Sequence, residues 1–127
     1  MDLVSQLQKK IENCLYEALK RSKREIFTIS IDRVYDESEY EYMPYTTQNY
    51  YSEDDVLNDA HMIAEELRSD EDLLIINVFC GEYETPSGDV FGEPYAFFTI
   101  SNKSKEETIK GRKDAGFINP ECDEYAD

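Results

Sequence analysis

Two different hydrophobic periods follow one another at the start of the chain, and they predict a helix and then a strand. Between residues 2 and 23 the apolar side chains recur at steps of three and four, which is typical of one helix face. These apolar positions are Leu3, Val4, Leu7, Ile11, Cys14, Leu15, Ala18 and Leu19. Residues 25–34 instead alternate apolar and polar side chains, which predicts a half-buried strand with Phe27, Ile29 and Ile31 on one side.

The middle of the chain predicts an irregular segment, a second helix and a buried strand. Residues 35–51 lack a helical period and contain Pro44, which interrupts regular structure, although 40–43 has the character of an edge strand. Ser52 stands at the N-cap of the second helix. The inner stripe of that helix is Val56, Leu57, Ala60, Ile63, Ala64 and Leu67. Residues 73–80 are continuously apolar, as in a central strand buried on both faces.

The remaining elements are a turn, a strand and a short helix. The turn falls at 85–88, where proline and glycine stand close together. The strand at 95–101 is expected to pair antiparallel with the strand before the turn. Ser104 and Glu107 have the spacing of a capping box, which predicts a last helix near 105–113.

The order of these elements is α-β-α-β-β-α, which indicates an α+β fold. We expect a small antiparallel or mixed sheet of three or four strands, packed against two main helices. The length of 127 residues fits one domain, which we place at 1–118. An acidic C-terminal tail, 119–127, follows this domain and is expected to be frayed.

The charge of the chain is large and unevenly distributed. There are 29 acidic and 13 basic residues, and the net charge is −16 at pH 7. Residues 32–101 alone hold eighteen acids and two bases. A globule of this length is about 36 Å across, and duplex DNA of that length carries about 21 phosphates. The number of carboxylates in this region is therefore close to the charge of a DNA duplex of the same size.

The composition excludes several classes of protein. A chain this acidic has no basic face for direct binding of nucleic acid or of an anionic membrane. It has no apolar run near the roughly 18 residues that span a bilayer, and its first residues lack a secretion signal. The three cysteines have neither disulfide-framework nor zinc-site spacing. We therefore expect a cytoplasmic protein with no cofactor and no metal.

Residues 35–55 combine six tyrosines with seven acids. Tyrosine provides a large contact area at low entropic cost, its ring stacks on guanidinium groups, and neighbouring carboxylates pair with arginine. Such a surface complements the basic face of a nucleic-acid-binding protein. The candidate partner-binding residues are Asp36, Glu37, Glu39, Tyr40, Glu41, Tyr42, Tyr45, Tyr50, Tyr51, Glu53, Asp54, Asp55 and Asp59. The alternative is that the tyrosines cover the open face of the sheet and the acids keep the segment soluble.

In size, charge and acidic, tyrosine-rich composition, chiefly over residues 35–72, the chain resembles phage-encoded DNA-mimic inhibitors of host defence, of the anti-CRISPR and anti-restriction types. The resemblance is carried by composition and by no sequence motif, so it transfers no residue role. It implies a non-enzymatic inhibitor in the host cytoplasm that occupies the nucleic-acid-binding surface of a basic partner, such as a CRISPR or restriction nuclease. Because these inhibitors have unrelated folds, it implies nothing about the fold.

Three other hypotheses stay open. An immunity protein or antitoxin that neutralises a basic toxin would need the same kind of surface. The carboxylates around 54–59 and 70–72 would also suit a small carboxylate-dependent or metal-dependent enzyme. Finally, the apolar stripe of helix 2–23 would allow the chain to form a homodimer.

The histidine and the cysteines are predicted to be structural. His61 is the one histidine of the chain and is expected on the surface of the second helix or partly buried there. Cys14 lies on the apolar stripe of the first helix and Cys80 ends an apolar strand, so we expect both to be small buried hydrophobes. Cys122 lies in the acidic tail, whose charges should raise its thiol pKa.

Salt should act in opposite directions on stability and on binding. Crowded carboxylates repel one another in the folded chain, and added salt screens that repulsion. Moderate salt should therefore raise the melting temperature while it weakens the complex with a basic partner. A thermal scan at increasing salt checks the first half, and a melting temperature that falls with salt would show that the carboxylates are paired or dispersed.

Overall fold

A computed structural model describes the backbone of residues 2–34, 40–43 and 48–126, with side chains for 2–15, 23–34 and 48–126. The elements in chain order are α1 (Leu3–Ser22), β1 (Arg24–Val34), β2 (Tyr40–Met43), α2 (Glu53–Glu66), a 3₁₀ turn (Leu67–Ser69), β3 (Leu73–Glu84), β4 (Val90–Phe91), β5 (Tyr95–Ser101) and α3 (Lys105–Asp114). The expected α+β class is confirmed, and the order of elements agrees broadly with the predicted one.

The strands form one antiparallel sheet with β3 at its centre. The strand β1 pairs with β3 along nearly its whole length and carries β2 on its other edge. On the far side of β3, β5 pairs with its first half and the two-residue β4 with its end. The edge strand expected at 40–43 is present. Four of the described strands are longer than two residues, which agrees with the expected sheet of three or four strands. The register sets Ile76 of β3 between Ile31 of β1 and Ile100 of β5.

The main core lies between α2 and one face of the sheet. The predicted stripe of α2 is confirmed, since Val56, Ala60, Ile63 and Ala64 are at most 5% exposed. Against it the sheet presents a layer of branched and aromatic side chains. This layer consists of Phe27, Ile29, Ile31, Tyr50, Leu74, Ile76, Val78 and Ile100. Burial of such side chains stabilises a fold by roughly 1.5–3 kcal/mol each, so this contact dominates the stability of the domain.

A second helix in contact with the sheet is α3. Buried Thr108 of α3 shares a 2.6 Å hydrogen bond with the Ser101 hydroxyl of β5. A Cβ atom at Gly111 would come within 2.6 Å of the Leu73 side chain, so glycine permits the close approach of α3 to β3. The expected packing of helices on a small antiparallel sheet is therefore confirmed, with α2 and α3 as the helices whose described side chains contact it.

The apolar stripe of α1 is exposed in the part of the helix whose side chains are described. Leu3, Val4, Leu7 and Ile11 are 51–70% exposed. Cys14 on the same stripe is exposed as well, so its expected burial was wrong, whereas Cys80 packs half-buried against the core. Among the described residues no helix is both long and apolar enough to cross a membrane.

The C-terminal tail is fixed to the sheet, and the expectation of a frayed tail was wrong. The Thr99 carbonyl of β5 accepts hydrogen bonds from the backbone N–H groups of Asp123 and Glu124, at 3.1 and 3.2 Å. The Asp123 carboxylate accepts from the Thr99 N–H at 2.8 Å. The Arg112 guanidinium of α3 also donates to the Glu121 carbonyl at 3.0 Å. The tail thereby provides hydrogen-bond partners for backbone N–H and C=O groups on the outer edge of β5, which would otherwise be unpaired.

One buried amide joins three elements at the end of the sheet. The Asn102 side chain donates to the carbonyls of Leu67 and Asp72, at 2.8 and 3.0 Å. Its oxygen accepts from the Leu74 N–H at 2.8 Å. Asn102 is completely buried, and it follows β5 directly. It therefore ties the turn after α2 and the start of β3 to the end of β5.

We predict that Asn102→Ala lowers the free energy of unfolding by about 2–4 kcal/mol, because it leaves one buried N–H and two carbonyls without their partner. Urea denaturation followed by circular dichroism measures this loss. Asn119→Ala, at an exposed position, is the matched control and should change the free energy of unfolding by less than about 0.5 kcal/mol. Equal effects of the two substitutions would contradict the assigned role of Asn102.

Candidate protein-binding surface

The outer side of α2 carries two parallel rows of mostly polar side chains. Residues at i, i+4, i+7 and i+11 share one line along a helix. The first row is Asp54, Asn58, His61 and Glu65, and the second is Asp55, Asp59, Met62 and Glu66. Asp59 is half-buried, and the other seven are exposed. The five carboxylates of these rows and that of Glu53, at the helix start, are together called the acidic face of α2 below.

The charge density of the acidic face is comparable with that of a nucleic acid strand. The 14 residues of α2 span about 21 Å, from the helical rise of 1.5 Å per residue. One strand of DNA carries a phosphate about every 3.4 Å, hence about six in the same length. The sequence of α2 contains six carboxylates and neither lysine nor arginine. Within the described part of the chain, no basic side chain pairs with Glu53, Asp54, Asp55 or Glu65.

The start of α2 tolerates three consecutive acids for a local reason. The Ser52 side chain accepts a hydrogen bond from the Asp55 N–H at 3.4 Å and caps the helix, as predicted. Glu53, Asp54 and Asp55 occupy the first turn, where the partial positive charge of the helix N-terminus favours them. Their exposed side chains therefore concentrate negative charge without destabilising the helix.

Tyr50 is part of the core and not of the exposed surface. Its side chain is 7% exposed, and its backbone exchanges two hydrogen bonds with Phe27, at 2.7 and 2.9 Å. Its hydroxyl donates to the Asp59 carboxylate at 2.7 Å. The alternative interpretation, that the tyrosines cover the sheet, holds at this position. Tyr50 is unavailable to a partner, and one oxygen of Asp59 is occupied.

Tyr51 makes, with residues of its own chain, the kinds of contact that we expected it to make with a binding partner. The Arg24 guanidinium lies over its ring, with the central carbon 3.7 Å from the ring centroid. Its hydroxyl donates to the Glu84 carboxylate at 2.7 Å, which raises the Tyr51 pKa. Glu84 also pairs with Arg24 at 3.6 Å. Tyr51 remains 46% exposed, directly before the capped start of α2.

The other candidate residues lie on β2 or outside the described part of the chain. Tyr40, Glu41 and Tyr42 belong to β2, where the register sets Glu41 opposite Arg33. The remaining candidates fall outside the described residues. They are Asp36, Glu37, Glu39 and Tyr45.

The sequence interpretation missed two carboxylates of the acidic face and a contact beside them. Glu65 and Glu66 stand eleven residues after Asp54 and Asp55, and this helical spacing was a signal available in the sequence. The contact joins His61 to Glu124 in the C-terminal tail, through the Nε2 atom and the carboxylate. No local pattern could predict it, because 63 residues separate the two groups.

His61 is held from two sides and carries an altered pKa. Its Nδ1 atom donates to the Leu57 carbonyl at 2.7 Å, and its ring lies 5.6 Å from that of Phe98. The Leu57 carbonyl raises the His61 pKa most, and the Glu124 carboxylate raises it further, while partial burial opposes both. The expected surface position of His61 is confirmed, and the ring anchors the tail to α2.

Among the carboxylates considered for enzyme chemistry, Asp70 and Asp72 have structural partners. The Asp70 carboxylate accepts from the Asp72 N–H at 2.9 Å, and Asp72 pairs with Arg33 at 3.2 Å. Within the described ranges no three metal-ligating side chains converge. The Cys122 pKa is raised, as predicted, but burial is the main cause and the charge of Asp123 a lesser one.

Comparison with protein-family models, with curated proteins and with solved structures gives no match to this chain. Residue roles are therefore not transferred from another protein. The surface of α2 is interpreted from its own charge, exposure and contacts.

We predict that the His61 ring titrates above its ordinary pKa of 6.5. The chain has one histidine, so a proton NMR titration reports on it without assignment. Glu124→Gln removes the facing charge and should lower the midpoint. A midpoint at or below the ordinary value would contradict the assigned contacts.

The raised pKa has a consequence for stability with a defined sign. Since the folded state binds the proton more tightly, the stabilisation is complete below pH 6.5 and is lost as the pH rises through the raised value. Over that window, the melting temperature of the wild type should fall relative to that of His61→Gln. Because both proteins contain the same carboxylates, the difference between their melting temperatures removes the contribution of carboxylate titration.

Proposed function

We propose that this protein is an acidic protein-binding inhibitor that acts in the cytoplasm and occupies the nucleic-acid-binding surface of a basic partner. The acidic face of α2 takes the place of a phosphate strand. The fitting partner is a nuclease or another defence effector whose groove is lined with arginine and lysine. The proposal requires neither a cofactor nor a catalytic residue.

The observation that carries the proposal is the charge density of the acidic face. Six carboxylates lie along about 21 Å of helix, a density close to that of one DNA strand. The surfaces of soluble domains usually intersperse charges of both signs, whereas α2 contains six acids and neither lysine nor arginine. Glu53, Asp54, Asp55 and Glu65 lack a basic partner among the described residues, so they are free to bind one.

The physical chemistry of the encounter follows from the exposure of this face. Long-range attraction steers a basic partner towards the carboxylates and accelerates association, and salt weakens that attraction. Arginine side chains then form paired hydrogen bonds with individual carboxylates. Met62, 60% exposed in the middle of the second row, provides an apolar contact between the charges.

The cluster next to α2 supports the same chemistry. Arg24, Tyr51 and Glu84 combine guanidinium stacking, a phenol hydrogen bond and an ion pair on an exposed part of the chain. The same three interactions would join an arginine-rich partner to neighbouring tyrosines and acids.

The proposal is tested by capture with a tagged protein from host lysate, followed by elution with duplex DNA. We expect a nucleic-acid-binding protein that DNA displaces and that high salt releases. The variant Asp54→Asn, Asp55→Asn, Glu65→Gln, Glu66→Gln should reduce its binding at least tenfold, measured as the Kd of the purified pair. Four exposed charge contacts of up to about 1 kcal/mol each support a loss of this size.

A second variant with the same net charge provides the control. Glu93→Gln, Glu106→Gln, Asp114→Asn, Glu121→Gln also removes four exposed carboxylates, all of them outside α2. It should bind nearly as well as the wild type. Equal losses of binding in the two variants would show that binding depends on the net charge of the protein and not on the acidic face of α2, which would contradict the proposal. A captured protein that ignores DNA would overturn DNA mimicry in favour of an immunity protein.

A further inference from the structure

The exposed stripe of α1 has the spacing of a helix–helix interface. Val4, Leu7, Ile11 and Cys14 follow one another at steps of three, four and three, the spacing of the a and d positions of a coiled coil. Leu7, Ile11 and Leu15 are 51–60% exposed. Together with Lys10 and Cys14 they line a shallow groove of about 310 Å³ along the helix. A helix that packed on its own domain would bury these side chains.

The total surface indicates that each chain has area available for an interface. A compact monomer of 14.8 kDa exposes about 7,000 Å². This chain exposes 8624 Å², an excess of about 1,600 Å² over that expectation. A stable dimer buries about 800 Å² per partner. The excess is therefore sufficient for a dimer interface.

The charge of α1 identifies the occupant of the groove. The helix contains four bases and two acids and has a net charge of +2, so the rest of the chain carries −18. Two copies of so acidic a chain repel one another over most of their surface. Between two copies of α1 the repulsion is far weaker, because each helix carries a net charge of only +2. We propose that the apolar stripe of α1 binds the same stripe of a second copy, and that this contact makes the protein a homodimer.

The orientation of the two helices follows from the same repulsion. The acidic body of each copy continues from the C-terminal end of α1, at Ser22. The 20 residues of α1 span about 30 Å, three times the Debye length at 0.1 M salt. An antiparallel pair sets the two bodies at opposite ends, where salt screens their charges, whereas a parallel pair sets them side by side. The dimer is therefore antiparallel, with Val4 of one copy near Cys14 of the other and Leu7 near Ile11.

The homodimer is tested by the mass of the full chain in sedimentation equilibrium. The wild type should have twice the chain mass of 14.8 kDa. Leu7→Glu, Ile11→Glu should be monomeric and remain folded by circular dichroism, because both side chains are exposed. The control, Val90→Glu, Ile118→Glu, makes the same charge change at exposed apolar positions outside α1 and should remain dimeric. A monomeric wild type, or a dimeric Leu7→Glu, Ile11→Glu protein, would overturn the proposal.

Oxidative cross-linking tests the orientation. The substitution Val4→Cys should yield a disulfide between position 4 of one copy and Cys14 of the other, located by mass spectrometry of the peptides. The wild type should not cross-link through Cys14, since an antiparallel pair holds the two copies of this residue about 15 Å apart along the axis. Rapid cross-linking of Cys14 to Cys14 in the wild type would overturn the antiparallel arrangement. Neither result bears on partner capture through α2, so the two proposals fail independently.

Discussion

The packing of α2 on the sheet determines how the protein presents its charge. Val56 and Ala60 are completely buried against β1 and β3, which fixes the rotation of the helix about its axis. Once this stripe faces inwards, the two outer rows must face solvent, because a helix holds its side chains at fixed angles. The hydrophobic contact that stabilises the domain therefore also builds the acidic face. A change that released α2 would affect fold and surface together.

Repulsion among the carboxylates is limited by local partners at the margins of the acidic face. The N-terminus of α2 stabilises its first three acids, the Tyr50 hydroxyl holds Asp59, and Arg33 pairs with Asp72. On one flank the His61 ring meets Glu124 of the tail. These contacts permit a strongly charged helix inside a stable domain. They also separate the carboxylates that maintain the fold from the exposed ones that we assign to binding.

The chain combines two helices of opposite character. The helix α2 buries its apolar stripe in its own core and exposes acids, whereas α1 exposes its apolar stripe and carries net positive charge. Self-association through α1 and partner binding through α2 would use separate surfaces. A dimer formed in this way presents two acidic faces in one particle, and two linked faces strengthen binding to a partner that offers two sites.

Local patterns in the sequence determined the elements and their inner faces. The stripe of α2, the edge strand Tyr40–Met43 and the caps at Ser52 and Ser104 depend on neighbouring residues alone, and all were predicted correctly. The assignment of partners required the tertiary structure. Periodicity specifies which side chains share a face but not what lies against that face, so the exposure of α1 and the burial of Tyr50 were unpredictable. The tail on β5 and the His61–Glu124 contact join residues distant in the chain, and only the folded backbone brings such groups together.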